Sequence, residues 1–411
     1  MPDDYELYVG VDWATQAHQV CVLGRDGARL EEHAVPHTGA GLAALVGRLR
    51  QRGKDPARIA VAIEVPHGAV VDVLLEQGCH VFAINPKQLD RFRDRHTVAG
   101  AKDDRRDAFV AADALRTDRP AFRRLHAEDA QVIQLRELSR LHGELGQEHG
   151  RLTNRLREQL WRFYPQLLAL SPAADDPWLW ALLDQAPTPA HGRRVTLSAV
   201  RALLARHRIR RLTAETVHAA LQDPPLPVAA GTAEAAAEHV ALLLPRLHLV
   251  RAQRAHCEQR LERLLALLAT PATGAEPSKH RDVTVLRSFP GLGRLVAATM
   301  LAEASRPLAA RDYQTVRAHA GAAPVTRQSG KSRLVSMRRS CNGRLRAALF
   351  HWTRNAIRLD SHSRAHYQRL RQHHNHARAL RGVADRLLSV LIHMLSTATL
   401  YDPTRRRQHA A

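Results

Sequence analysis

The chain has 411 residues and a formal net charge of +21, with aromatic residues at only 4%. That length suggests two or three domains with cores built mainly from Ala, Val and Leu. An excess of positive charge this large points to a polyanionic partner, most simply nucleic acid, rather than to a basic enzyme that binds it only weakly.

Cys21, Cys79, Cys257 and Cys341 are the only cysteines, and none stands at CxxC spacing. This argues against a disulfide framework or a zinc knuckle and fits a reducing cytosol. The acidic start MPDDYELYVGVDW does not read as a signal peptide. No uncharged apolar run approaches 18 residues, so no membrane span is expected.

In chain order, ELYVGVD (6–12) reads as a buried strand, HQVCVLG (18–24) as an alternating one, and ARLEEHAV (28–35) as a third after the turn RDG. These three suit an antiparallel meander. GLAALVGRLRQ (41–51) is helical, RIAVAIE (58–64) a strand, GAVVDVLLEQG a helix and HVFAIN (80–85) a further strand. The Asn85-Pro86 pair is a turn signal, and a helix is expected over about 103–116. Three strands, then helix and strand in alternation, is the order of a ribonuclease H-like fold.

From 129 to 165 the sequence is long, charged and helical, with Leu at 135, 138, 141, 145, 152, 156 and 160 forming an apolar stripe. A matching stretch covers about 233–270, with Pro245 expected to end or kink it near its start. The two can pair as an antiparallel coiled coil within the chain, or serve as a dimerising element. Between them 171–232 reads as an inserted, mostly helical module, and TPATGAEPSKH (270–280) as a linker. The expected boundaries are 1–125, 126–280 and 281–402, with a basic tail at 403–411.

The last region reads as all helical. It opens with LRSFPGLGRLVAATMLAEA (286–304), where Gly291 and Gly293 sit in a short loop before a helix. This is a helix-hairpin-helix pattern whose backbone N–H groups can hold a phosphate, although a tight helix-capping turn needs the same residues. From Lys331 to Arg381 there are thirteen Lys or Arg and one acid, Asp360. A solvated helix face normally mixes signs, so this excess reads as a phosphate-facing surface.

Carboxylates carry the chemistry. Asp12 ends the first strand and Glu64 ends RIAVAIE. In a ribonuclease H-like sheet these strands are neighbours. Asp104 and Asp107, three apart on the expected helix, share one face. Together these four are the hard oxygen donors that Mg²⁺ takes, with Mn²⁺ as a substitute. Each aspartate alone reads more simply as a strand-end turn or a helix cap. Glu64 is harder to explain that way, because a carboxylate on an otherwise apolar strand is costly unless paired or metal-bound.

The ordered set YVGVDWATQAHQVCV (8–22), IAVAIE (59–64), INPKQLDRFRDRHTVAGAKDDRRDA (84–108), LRSFPGLGRLVAATMLAE (286–303) and HAGAAPVTRQSGKSR (319–333) resembles the DEDD-type transposases of insertion sequences, the IS-one-ten group. The resemblance implies an N-terminal RuvC-like domain that binds Mg²⁺ through Asp12, Glu64, Asp104 and Asp107. The last two fall in a Lys-x-Asp-x-x-Asp-Ala pattern beginning at Lys102, which leaves Asp103 an extra acid. The first motif departs from the family, with Trp13 and then Thr15-Gln16 where a small residue and a Lys are usual.

The resemblance also implies that Ser329, in a Ser-Gly pair after Ala320-Gly321-Ala322-Ala323-Pro324, attacks DNA and becomes covalently linked to it. From composition alone Ser329 reads as a turn serine, and Ser332 is its rival as nucleophile. The nucleic-acid contacts expected are Lys102, Arg105, Gly291, Gly293, Arg327, Lys331, Arg333, Arg338, Arg339 and Arg344. The partners implied are donor and target DNA, a structured bridge RNA and further copies of the chain, as a dimer assembling to a tetramer. The expected place of action is the bacterial cytoplasm, at the nucleoid.

Two further readings are a RuvC-like junction nuclease using water as nucleophile and a non-catalytic nucleic-acid-binding protein. HHNH (373–376) reads as phosphate or solvent contact rather than a metal site, and His67 as a helix N-terminal polar residue.

Overall fold

The computed structural model describes residues 5–95, 103–270, 277–330 and 332–404. The chain divides into two compact units, Met1–Asp129 and Ala130–Ala411.

The first unit is built on a mixed sheet. Strands β1 (Leu7–Asp12), β2 (Ala17–Gly24) and β3 (Arg29–Pro36) form the meander, followed by α1 (Gly39–Arg52), β4 (Ile59–Ile63), α2 (Ala69–Glu76) and β5 (His80–Ala83). Then come α3 (Pro86–Arg93), α4 (Asp104–Thr117) and a short β6 (Arg123–Arg124). The strand order is β3-β2-β1-β4-β5-β6. β1 pairs antiparallel with β2 and parallel with β4, and β6 runs antiparallel to β5.

This is the ribonuclease H-like order expected, with β6 added at the edge. Every residue of β4, IAVAI, is buried, as a central strand covered on both faces requires. One face packs Val9, Val11, Val61 and Ile63 against Leu45, Leu49 and Leu74 of α1 and α2. The other packs Tyr8, Ala60 and Ala62 against Ala108, Ala112 and Leu115 of α4.

The Asn85-Pro86 pair is not a simple turn. Asn85 caps α3, its side chain accepting from the Lys87 N–H at 3.0 Å, and Pro86 occupies the first helical turn. Proline at that position has no N–H to lose and a preset φ, so one dipeptide serves a turn and a helix start equally well.

The second unit begins with α5 (Ala130–Phe163), a 34-residue helix. Then come α6 (Gln166–Leu170), α7 (Pro177–Gln185), α8 (Pro189–Gly192), α9 (Leu197–Arg206), α10 (Ala214–Gln222) and the 38-residue α11 (Thr232–Ala269). α5 and α11 pair antiparallel within the chain: His142 meets Glu258 at 3.2 Å, and Glu148 meets Arg246 at 3.7 Å. Pro245 lies inside α11 and does not end it. Along α5, Leu135, Leu145, Leu152, Leu156 and Leu160 are buried, but Leu141 is 45% exposed and the neighbouring His142 takes the inward place. The helices of the 171–232 module close a core with both long helices, around Trp178, Trp180 and Leu244.

A second core is formed by α12 (Pro277–Ser288), α13 (Arg294–Glu303), α14 (Ser305–Ala309), α15 (Tyr313–His319), α16 (Gly343–Leu359), α17 (Ser361–His373) and α18 (His376–Thr397), centred on Phe289, Trp352 and Leu388. This region is helical but not wholly so. Strands β7 (Val325–Ser329) and β8 (Ser332–Ser336) form a two-stranded antiparallel hairpin. Its sequence, VTRQSGKSRLVS, has too little apolar alternation to read as strand, and Gly330 turns the chain at φ +53°. No helix among the described residues is long and apolar enough to cross a membrane.

Candidate functional site

Parallel pairing between β1 and β4 runs from Leu7 opposite Ile59 to Val11 opposite Ile63. Asp12 and Glu64 are therefore the next residues on two adjacent strands, at their carboxyl ends. α4 crosses the same sheet face at very short range. A Cβ built on Gly10 would lie 1.8 Å from the Ala108 carbonyl oxygen and 2.7 Å from the Ala112 nitrogen. Only glycine lets strand and helix backbones approach this closely.

Strand alternation puts Asp12 on the face of Gly10, the face α4 covers. Asp107 immediately precedes Ala108 on that helix and is 3% exposed. Asp104 lies one turn earlier and is exposed. Asp103 has a different job, since its carboxylate accepts the Arg105 N–H at 3.2 Å and caps α4. Asp113 is bound to Arg116 at 2.7 Å.

Asp107 is not bare. Arg93 holds it in a two-pronged ion pair, Nε to Oδ1 at 2.7 Å and Nη2 to Oδ2 at 3.0 Å, and gives Nη1 to Asp90 at 2.9 Å. Nothing in DRFRDR marked Arg93 out as this partner. Among the described residues, no three His, Cys, Asp or Glu side chains are gathered so as to hold a metal ion. By donor type alone Asp12, Glu64, Asp104 and Asp107 suit a hard divalent cation. They do not suit it in this arrangement, where a guanidinium fills Asp107.

The loop after Asp12 is tied down. His18, fully buried, accepts the Ala14 N–H on Nδ1 at 3.2 Å and faces His37 Nδ1 through Nε2 at 2.8 Å. The backbone N–H of His37 donates to the Gln16 carbonyl at 2.8 Å. Burial, and then the charge of His37, lower the pKa of His18. A histidine at an inward position of β2, two residues before Val20, was the available signal for this pair.

In the second unit Ser329 is exposed and ends β7, paired across the turn with Ser332. Arg327 pairs with Leu334, two residues along, and so shares a hairpin face with both serines, whereas Arg333 pairs with Gln328 on the opposite face. Leu334 and Val335 are 59% and 54% exposed. Arg339 is exposed, and Arg338 is half-buried. Arg344 binds the Arg140 carbonyl and Glu144 of α5, at 3.3 and 3.2 Å.

Gly291, at φ +78°, packs on the α16 backbone, its built Cβ 2.7 Å from Ala356 N. Gly293 precedes α13 with open space around it. Arg105 is 70% exposed, 3.8 Å from Glu32. Lys102 and Lys331 lie outside the described residues, as do Arg405, Arg406 and Arg407 of the tail.

Comparison with known proteins adds family relations. A model described as "Transposase", for the DEDD proteins of IS110, matches residues 9–165. A second, "Transposase IS116/IS110/IS902 family", matches residues 283–368. The "Mini-circle putative transposase for IS117" of Streptomyces coelicolor is 33% identical over 98% of this chain and 97% of its own length. The "Insertion element IS110 uncharacterized 43.6 kDa protein" of the same organism is 28% identical over 97% and 96%. The "Putative transposase y4uE" of Sinorhizobium fredii is 50% identical, but over 52% of this chain and 60% of that protein.

Proposed function

The chain belongs to the transposase family of IS110-type insertion elements, and from this premise we propose that it cuts and rejoins DNA strands through Ser329. What supports the reading is the docking of α4 on Gly10, which sets the helix bearing Asp104 and Asp107 on the sheet face that Asp12 shares.

In the proposed step the Ser329 oxygen forms a bond to phosphorus and one phosphorus–oxygen bond of DNA breaks. The serine gives up its proton, and the leaving deoxyribose oxygen takes one up. A hydroxyl is a poor nucleophile until its proton is drawn away. Ser329 stands exposed at a hairpin tip, with Arg327 on its face to hold the phosphate and its developing charge. Ser332 shares that face and is the rival.

Mg²⁺, with Mn²⁺ as a substitute, is the proposed cofactor; its binding at Asp107 requires the Arg93 guanidinium to give way, and such an ion would stabilise negative charge on a phosphate. Donor and target DNA, a bridge RNA and other copies of the chain, as dimer and tetramer, complete the proposal. In it the α12–α13 turn is a helix-hairpin-helix element at which Gly293 meets phosphate, the α5–α11 pair is a coiled coil, and the work is done in the cytoplasm on nucleoid DNA. The formal charge of +21 suits two polyanions.

The test is a denaturing gel after incubating protein, Mg²⁺, RNA and labelled donor DNA. A protein–DNA adduct that survives Ser332→Ala and vanishes in Ser329→Ala is the expected result. Cleavage without adduct would replace the serine mechanism with water attack, and a shift without cleavage would leave a binding protein.

A further inference from the structure

Trp13 directly follows Asp12 and is 37% exposed; of the other tryptophans Trp178, Trp180 and Trp352 are wholly buried, and Trp161 on α5 is 70% exposed. What sets Trp13 apart from Trp161 is its place, on a tied-down loop at the carboxyl end of β1. We propose that Trp13 is a stacking platform for an unpaired nucleobase of the strand handled there, and that His18 and His37 position it. The inference rests on the reading of the chain as a nucleic-acid enzyme.

The loop that carries Trp13 is fixed at both ends. Ala14 hangs from His18 Nδ1, Gln16 accepts from the His37 backbone, and the two imidazoles are joined at 2.8 Å. Because His18 Nδ1 accepts from an N–H, it carries no proton. His18 Nε2 therefore donates to His37 Nδ1, and the His37 proton sits on Nε2. The His18 ring also lies beside the indole, with centroids 6.3 Å apart and planes tilted by 36°. A fully buried histidine is costly, and this one makes the polar contacts that offset the cost. A loop held this firmly loses little further entropy when it binds.

The chemistry suits the place. Carboxylates at the sheet end repel phosphate, so charge alone cannot seat a strand beside them. Stacking on a π-face needs no charge and accepts any base.

A single-stranded oligonucleotide carrying 2-aminopurine tests this, with binding read by anisotropy and stacking by quenching of the 2-aminopurine. The wild type should bind and quench. Trp13→Ala should bind about tenfold more weakly and lose most of the quenching, while Trp13→Phe keeps both in large part. His18→Leu should lose quenching, and His18→Gln, which can still accept from Ala14 and donate to His37, should restore it. Binding and quenching unchanged in Trp13→Ala overturns the platform. His18→Gln as poor as His18→Leu overturns the positioning role. A wild type that binds no oligonucleotide overturns the nucleic-acid reading as well.

Discussion

Asp103 and Asp104 are adjacent acids with different surroundings. Asp103 is a helix cap, and asparagine caps as well as aspartate. Asp103→Asn should therefore leave both melting temperature and strand cleavage nearly unchanged, while Asp103→Ala costs about 1 kcal/mol. Asp104→Asn should abolish cleavage with little change in melting. If a cleavage assay returned the two asparagine variants in the opposite order, the motif would be out of register.

Asp107 gives a sharper test. Its carboxylate is almost wholly buried, and Arg93 is its cation. Arg93→Ala strands that charge and should destabilise the first unit by roughly 3–5 kcal/mol. Added Mn²⁺ should then recover part of the lost melting temperature, because a divalent ion can take the place of the guanidinium. Recovery that persists in Arg93→Ala/Asp107→Asn would remove Asp107 from the proposed ligand set. Among these residues, the Asp12, Glu64 and Asp104 positions were legible because strand ends and i,i+3 spacing are local properties. Arg93 was not, since its partner is fourteen residues away and on another helix.

At the scale of elements, the contact between β1 and α4 depends on a missing side chain. Gly10→Ala puts a methyl 1.8 Å from a backbone oxygen, so the helix must lift off the strand. Overpacking of this kind costs at least 1–3 kcal/mol. The variant should melt earlier and lose cleavage, measured by circular dichroism and the gel assay, although the substituted residue bears no polar group.

The same scale shows which elements can be read from sequence. β1, β2 and β4 alternate or run apolar and stand out. α3 hid behind Asn85-Pro86, because capping and turning use the same chemistry. β7 and β8 hid because, apart from Val325, Leu334 and Val335, their residues are polar, and hairpin pairing alone makes them strands. The partner of α5 was left open, because an apolar stripe states that a face is covered but not by what. Within the chain α11 covers that face, with His142 meeting Glu258.

At the scale of the whole molecule, histidine governs the response to mild acid. His18, His33, His80, His142, His149 and His207 all have pKa values lowered from the ordinary one, burial being the largest cause in each. Unfolding raises each toward 6.5, so between the folded and unfolded values the unfolded chain binds more protons. The sign is then fixed: stability is full above about pH 6.5 and falls as pH drops below it. Thermal melts at pH 7.5, 6.5 and 5.5 should show a loss across the lower step, and a flat response would mean these imidazoles are solvated.

The antiparallel pairing of α5 and α11 also bears on what may be grafted here. A chain that goes out along one helix of about 51 Å and returns along its neighbour ends where it began. Everything between Gln166 and Gly231 is thus a pendant whose two attachment points are side by side. The loops of such a pendant can be lengthened or shortened without resetting the register of what precedes or follows it, while the helices that carry Trp178 and Trp180 keep their core with α5 and α11. Inheritance could vary these loops while the Arg136–Ala302 and Arg140–Glu303 contacts at the near end stayed as they are.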